Sequence, residues 1–575
     1  MINNERMNHP NMKTKTLPTY KSKEYVNLRE LIEDVAVRFP NRNAFSYRKK
    51  PSDETAVRVP FPVFRDDIRA LGTELLARGM HGRHCALIGK LTYPWVCAYV
   101  ALISIGAVVV PLDKDWQEEE LAKTVSHADC TFLICDDSAK NEAVASKSGI
   151  HVPLYLGASK KGDSIETLIR RGKDKLDAGD RSYFEAVIRP LSMSILVFTS
   201  GTTGSGKGVM LSQTGLMADL YAGLSVVKLS RKTIAVLPPH HTYGCNVGLV
   251  AHIAAGCEVY LSDGLRHILK EMREEHPEHL TLVPLFIETF YRRLLSTAKD
   301  QGKDKLLFRM MKASNAMRRV GLDVRRSVFQ SVLATFGGKL KLMISGGAPI
   351  SQEILDTFDA IGITVINGYG ITECTPLISV THQEAPIPNS VGKPLFCNKV
   401  KLRHPNTDGE GEICVRGANV MIGYYKNDDA TEEAFDEDGY FRTGDYGKFD
   451  RNGNLYITGR LKNLIILSNG KNVYPEEIES EISAVPGVLE IVVYEGQSRR
   501  GVEHNAIVAE IYPDLEYLKK LGVSDPTAYF QKAVDDYNRT ALSYKKIAHL
   551  KIREDEFPKN TLRKILRYRL DTKMD

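Results

Sequence analysis

From about Asn27 to Arg460 the chain alternates helical stretches with short apolar, often β-branched runs, among them Cys85-Ala86-Leu87-Ile88, Val108-Val109-Val110, Thr131-Phe132-Leu133-Ile134 and Leu342-Met343-Ile344. That alternation predicts an α/β fold in which helices cover mostly parallel sheets. The longest apolar run, Trp95 to Leu112, is interrupted by Tyr99, Ser104, Gly106 and Pro111, so it reads as a buried helix leading into a strand and not as a membrane span. From about Ser390 to Thr458 Gly, Pro and Asp turns crowd between strands, as a small β-rich subdomain requires. Past Arg460 a strand (Leu464-Ile465-Ile466-Leu467), a turn (Ser468-Asn469-Gly470-Lys471) and a helix opening near Pro475 begin a new unit. Few apolar strands are visible in it, which predicts a small α+β domain with a modest core, docked on the larger body. The expected division is 1–460 and 461–575.

Composition narrows the class. A chain of 575 residues exceeds one ordinary core and implies at least two domains. With 43% hydrophobic and 26% charged residues it has the balance of a soluble globular protein, and a net charge of +6 without a long basic block argues against nucleic acid as a partner. Nine cysteines, an odd number without a CxxC pair, argue against a disulfide framework or a zinc site and point to a reducing cytoplasm. The polar start, Met1-Ile2-Asn3-Asn4-Glu5, is not a secretory signal. Peripheral contact with the inner face of a membrane stays open.

Chemistry concentrates first in Phe198-Thr199-Ser200-Gly201-Thr202-Thr203-Gly204-Ser205-Gly206-Lys207-Gly208, directly behind the apolar run Ile195-Leu196-Val197. Glycines let backbone N–H groups approach phosphate oxygens, hydroxyls add donors, and the lysine supplies a point charge, so the stretch suits a polyphosphate. A kinase-type phosphate loop would place a metal-binding hydroxyl after the lysine and then open a helix. Here Gly208 follows, and Val209-Met210-Leu211 continues as a strand. A functionless flexible loop would not need the lysine.

Four further segments carry candidate chemistry. In Leu237-Pro238-Pro239-His240-His241-Thr242-Tyr243-Gly244 a histidine pair sits in a Pro/Gly-rich turn, structural or functional. Ser345-Gly346-Gly347-Ala348-Pro349 ends a strand with small residues, leaving either a flat slot for a planar base or an ordinary turn. Asn367-Gly368-Tyr369-Gly370-Ile371-Thr372-Glu373 delivers an aromatic for stacking on a purine, a hydroxyl for the α-phosphate and a carboxylate for Mg²⁺, where the bland alternative is a turn with an incidental acid. Tyr440-Phe441-Arg442-Thr443-Gly444-Asp445 ends in a carboxylate with acceptors for ribose hydroxyls. Taken alone, Gly459-Arg460-Leu461-Lys462-Asn463 is a solvated basic turn, and Phe557-Pro558-Lys559-Asn560-Thr561-Leu562-Arg563-Lys564-Ile565 is open to reading as a basic amphipathic tail for membrane contact.

In order and spacing from Thr199 to Lys564, and more weakly back to Asn27, these segments resemble the adenylate-forming superfamily of acyl-CoA synthetases, luciferases and peptide-synthetase adenylation domains. Asn419-Val420-Met421-Ile422-Gly423-Tyr424-Tyr425 and Gly470-Lys471-Asn472-Val473-Tyr474-Pro475 look most like bacterial long-chain fatty acyl-CoA synthetases. The resemblance implies that Thr199, Ser200, Gly201, Thr202, Thr203, Gly204 and Lys207 hold ATP phosphates. By the same likeness Gly346, Gly347, Ala348, Pro349, Asn367, Gly368, Tyr369 and Gly370 border the nucleotide. Thr372, Glu373 (with Mg²⁺), Asp445 and Arg460 complete that set, and His241 lines the acyl site. It further implies a mobile C-terminal domain that turns on Lys462, bringing Lys564 in for adenylation and the turn at Gly470 in for the thiol step. The expected reaction joins a fatty acid to coenzyme A through an acyl-adenylate, with room for the alkyl chain at Gly244-Cys245. A carrier protein as acyl acceptor, a non-catalytic nucleotide-binding module and a kinase-loop NTPase are the alternatives.

Overall fold

The structure, a computed structural model, describes residues 19–199, 206–264, 266–466, 472–496, 506–559 and 565–573. Its largest sheet has seven strands, in the order Gly423–Tyr424, Lys207–Ser212, Met193–Thr199, Val108–Leu112, His84–Ile88, Cys130–Cys135 and Leu154–Tyr155. The five from Met193–Thr199 to Leu154–Tyr155 run parallel, and the first two are antiparallel additions at one edge. Parallel strands buried on both faces need continuous apolar sequence, and Val108–Leu112 is buried at all five positions. The run before it forms the helix Tyr93–Ser104, buried all round, with Thr92 capping its first turn.

A second sheet of five strands places His279–Leu282, Leu342–Ser345 and Thr364–Gly370 in parallel and ends in two antiparallel strands. A third has Val57–Pro60, Asn43–Tyr47, Glu258–Leu261 and Lys232–Ala235. It adjoins the second through the Glu278 amide, which donates to the Lys232 carbonyl. The β-rich stretch forms a four-stranded antiparallel sheet, Asn398–Arg403, Gly411–Gly417, Phe441–Phe449 and Leu455–Arg460.

Beyond Arg460 the hairpin Ile465–Ile466 with Asn472–Val473 leads to the helix Pro475–Ile482 and a three-stranded sheet, Val488–Gly496, Ala506–Pro513 and His549–Ile552. Its own apolar cluster joins Ile478 and Ile482 to Ile491, Val493, Phe530 and Val534. The strands are longer than the sequence pattern suggests, because one face of Val488–Gly496 packs on helices while the other carries charged and aromatic residues. All nine cysteines are free and eight are buried. Among the described residues no helix is long and apolar enough to cross a membrane.

Candidate functional site

Met193–Thr199 and Lys207–Ser212 pair with Thr199 opposite Lys207, so the loop between them leaves the sheet at its carboxyl edge, beside the end of Val108–Leu112. Ligand sites favour that edge because loops and helix starts converge there. At Gly206 a Cβ would fall 2.3 Å from the Thr199 carbonyl oxygen, so the close approach requires glycine. Ser200, Gly201, Thr202, Thr203 and Gly204 lie outside the described residues.

Lys207 and Glu373, assigned to phosphate and metal, are joined by a residue the sequence reading did not assign. The Lys207 ammonium stands 4.5 Å from the centre of the Tyr424 ring, and the Tyr424 hydroxyl donates to Glu373 Oε1 at 2.9 Å. Tyr424 is placed by antiparallel pairing with Val209, two residues beyond Lys207. Burial, then the Glu373 charge, pushes its hydroxyl far up, so it stays a protonated donor.

A second constellation joins the Tyr-Gly segment to the β-rich sheet. Tyr369 donates to Asp445 Oδ2 at 2.7 Å, and Arg460 Nε reaches Asp445 Oδ1 at 2.8 Å across the strand pairing of Asp445 with Arg460. Asp445 is buried whereas the Arg460 side chain is 56% exposed. Each Asp445 oxygen retains acceptor capacity for a ribose hydroxyl.

A cavity of about 120 Å³ is lined by His241, Gly346, Gly347, Gly368, Tyr369, Gly370 and Thr372. The rest of its lining is mostly apolar, with Leu220, Leu224, Val227, Leu229, Val247 and Leu377 beside Asp219. Ala348 and Pro349 follow at an exposed rim, and Asn367 is fixed by a hydrogen bond from its amide to Thr381 Oγ1. Tyr243 packs across the Gly346 turn, where a Cβ would meet its ring at 2.8 Å, so glycine here admits an aromatic neighbour.

Neither Gly244 nor Cys245 lines the cavity, so the alkyl room expected at that pair is not found there. A Cβ on Gly244 would sit 2.3 Å from the Pro238 carbonyl, so this glycine serves a tight backbone approach, and Cys245 is buried. The cavity is lined by Thr242, Tyr243 and Val247 on either side of that pair and by Asp219, Leu220, Gly223 and Leu224 of the helix Gln213–Val226.

His241 lies against His240 with the rings tilted by 48° and their centres 4.1 Å apart, and His240 Nε2 lies 3.5 Å from Asp113 Oδ2, just past the end of Val108–Leu112. Burial pushes His240 down to about 4, so it is a neutral imidazole at physiological pH. Asp219, in the cavity lining, accepts from Leu377 N and Asn419 Nδ2 on one oxygen. Complete burial raises its pKa well above the ordinary carboxylate value, against the lowering by its two hydrogen-bond donors.

Lys564 and Gly470 lie outside the described residues. Lys559, in the same C-terminal segment as Lys564, is largely buried and ion-paired with Glu490 and Glu556. Lys462 is exposed in the single turn Leu461–Asn463. Flanking that turn, Asn463 Nδ2 donates to Glu476 at 2.6 Å, and the Tyr474 ring packs where a Cβ on Gly459 would lie. Among the described residues no cluster of three or more His, Cys, Asp or Glu side chains could hold a metal ion. A single carboxylate, Glu373, fits Mg²⁺ of the kind shared with substrate phosphates.

Strand ends carrying Lys207, and an aromatic-glycine segment that lines a mostly apolar cavity, fit an adenylate-forming enzyme. The comparisons place it further: the chain belongs to the family described as AMP-binding enzyme, which matches residues 32–425. It is similar to long-chain-fatty-acid–CoA ligase 5 of Rattus norvegicus, 29% identical over 496 residues, covering 80% of this chain and 72% of the relative. It is also similar to long-chain-fatty-acid–CoA ligase FadD15 of Mycobacterium bovis, 27% identical over 449 residues and covering 74% of each. The fold matches ATP-bound MatB from Rhodopseudomonas palustris with a TM-score of 0.74 at 24% identity, covering 94% of this chain and 97% of that one.

Proposed function

We propose that this protein is an ATP-dependent, AMP-forming fatty acid–CoA ligase. The carrying observation is a shared lining: a cavity with mostly apolar walls and the single buried carboxyl Asp219 is lined directly by Tyr369, Gly370 and Thr372. A fatty carboxylate lying in that cavity presents its head to the nucleotide segment. One carboxylate oxygen bonds to the α-phosphorus as the bond to pyrophosphate breaks. The sulfur of coenzyme A then bonds to the acyl carbon, its proton is released, and AMP leaves with the oxygen it gained.

Lys207 and the loop before it balance phosphate charge, Thr372 donates to the α-phosphate, and Asp445 with Arg460 holds ribose, so the work is positioning and electrostatic stabilisation. Mg²⁺, when bound by Glu373 and the phosphates, neutralises charge on the leaving pyrophosphate. The chain divides at 460/461 into an adenylation domain and a mobile C-terminal domain hinged at Lys462, with Lys564 serving the first step and the Gly470 turn the second. A pyrophosphate-release screen over carboxylic acids of graded length, with and without coenzyme A, tests this reading. Activity is expected to rise from acetate to long acids and to yield a CoA thioester. A flat response, or release without any acid, would refute it.

A further inference from the structure

Beyond Arg460 two carboxylates from different elements converge on one short stretch of chain. Pro558 and Lys559 form one leg of that stretch and Ile565 and Leu566 the other: Lys559 bridges to Ile565 in antiparallel register, and the Leu566 amide donates to the Pro558 carbonyl at 2.7 Å. Glu490, on the strand Val488–Gly496, holds the first leg. One of its oxygens is ion-paired with the Lys559 ammonium, and the other accepts from the Phe557 amide at 3.2 Å. Glu479, on the helix Pro475–Ile482, holds the second. Both of its oxygens accept from Arg567 Nη2 at 2.5 Å, and one also accepts from the Val493 amide at 2.6 Å. Arg567 Nη1 donates to the Val493 carbonyl at 2.8 Å, so helix, strand and second leg are joined at one point.

The strand explains why both grips fall on the same side. Ile491 and Val493 belong to the apolar cluster under the helices, so alternation turns Glu490, Val492 and Tyr494 to the opposite face. There Val492 and Tyr494 pack with Phe557, and Ile565 and Leu570 pack against them, so both legs are also fixed by apolar burial. The Lys559 and Glu490 side chains are only 9% and 11% exposed. A pair withdrawn from water to that degree resists separation, because either partner alone would be a buried charge without compensation. Lys564 immediately precedes Ile565 in the sequence. A lysine carries its charge on a flexible four-carbon stem, so its ammonium meets a phosphate only as reproducibly as the chain on either side is fixed.

We propose that Glu490 and Glu479 are positioning residues for adenylation, gripping the two legs that flank Lys564 so that its ammonium is delivered to the reacting phosphates in one place. The proposal rests on the ligase reading, in which Lys564 serves the first step and the Gly470 turn the second. Each acid acts through the chain it holds and not on the substrate. The grip therefore matters to acyl-adenylate formation and not to the thiol step that follows.

The experiment measures the two half-reactions separately in the full chain. Adenylation is followed in single turnover by pyrophosphate released from ATP, Mg²⁺ and palmitate, and the thiol step by thioester formed from supplied palmitoyl-adenylate and coenzyme A. Glu490→Gln and Glu479→Gln keep shape and remove the charge of each grip, Lys559→Met removes the partner of the first, and thermal unfolding verifies that each variant is folded. Because a misplacement of about 1 Å costs up to roughly a hundredfold, each is expected to slow adenylation at least about tenfold, with half-saturation by ATP and the thiol step both within about twofold of the parent. Combined with Lys564→Ala, Glu490→Gln is expected to slow the residual adenylation no further, since the side chain it positions is gone. Equal slowing of both half-reactions, unchanged adenylation, or a further loss on top of Lys564→Ala would overturn the positioning role and leave the ligase reading standing. A parent protein that releases no pyrophosphate with any carboxylic acid would overturn the ligase reading, and the positioning role with it.

Discussion

Tyr424→Phe isolates the hydroxyl that ties Lys207 to Glu373, the carboxylate proposed to hold Mg²⁺. The ring stays, so the 4.5 Å contact with Lys207 is kept; the 2.9 Å hydrogen bond to Glu373 is lost. A hydrogen bond to a charged group contributes about 1.5–3 kcal/mol, so adenylation is expected to fall by roughly tenfold to a hundredfold. Part of that loss should appear as a weaker dependence on Mg²⁺, because an untethered carboxylate no longer meets the ion in one orientation. Tyr424→Leu removes the ring as well and should cost about 1 kcal/mol more through the lost cation–π contact. Pyrophosphate release at graded Mg²⁺ measures both variants, and the thermal transition separates the effect from unfolding. If Tyr424→Phe stays within about twofold of the parent at every Mg²⁺ concentration, the coupling between Lys207, Tyr424 and Glu373 has no catalytic role.

Val227→Phe fills the apolar wall of the cavity and is expected to shift preference to shorter acids, each excluded methylene costing about 0.8 kcal/mol, with the KM for ATP unchanged. An unaltered chain-length profile in kcat/KM would remove this wall from the acyl site. Asp219→Asn is expected to match or exceed the parent in stability at neutral pH: the folded acid holds its proton while the unfolded one releases it near 3.8, so the parent loses stability as pH rises above that value, and the amide does not. Marked destabilisation of the variant in urea at pH 7 would show that Asp219 is ionised in the fold. His252 and His279 are buried with rings stacked at 4.9 Å, and burial holds His252 at about 4 and His279 well below its ordinary value. Unfolded histidine takes up its proton near 6.5, so stability falls as pH drops from there to 4, by about 3 kcal/mol for His252 alone. His252→Phe should flatten that slope in denaturant titrations; an unchanged slope would contradict it.

What could be read along the chain is what the chain presents in consecutive residues at strand ends. Tyr369, Gly370 and Thr372 fall within one such segment, and all three line the cavity. The β-rich stretch was likewise legible from its turns, because each strand pairs with a neighbour close in sequence. Tyr424, Asp113 and Asp219 were not, because their partners are remote: Tyr424 meets Glu373 51 residues away, and Asp219 meets Asn419 200 residues away. Nothing local distinguishes such a side chain from an ordinary core residue. Gly244 misled for a related reason. It marks an approach of two backbones, and the approaching carbonyl, Pro238, is known only once the turn is folded. The helix Asp304–Arg319 illustrates the converse, since a helical period shows that two faces exist but not which of them the body covers.

In the proposed reaction a carboxylate oxygen becomes bonded to the α-phosphorus. Mass spectrometry after turnover of a long-chain fatty acid labelled with ¹⁸O in both carboxyl oxygens, together with ATP, Mg²⁺ and coenzyme A, follows that oxygen. AMP carrying a single ¹⁸O, unlabelled pyrophosphate and a CoA thioester that retains the other label are expected. Label in pyrophosphate or inorganic phosphate, or thioester formed with unlabelled AMP, would contradict that reaction.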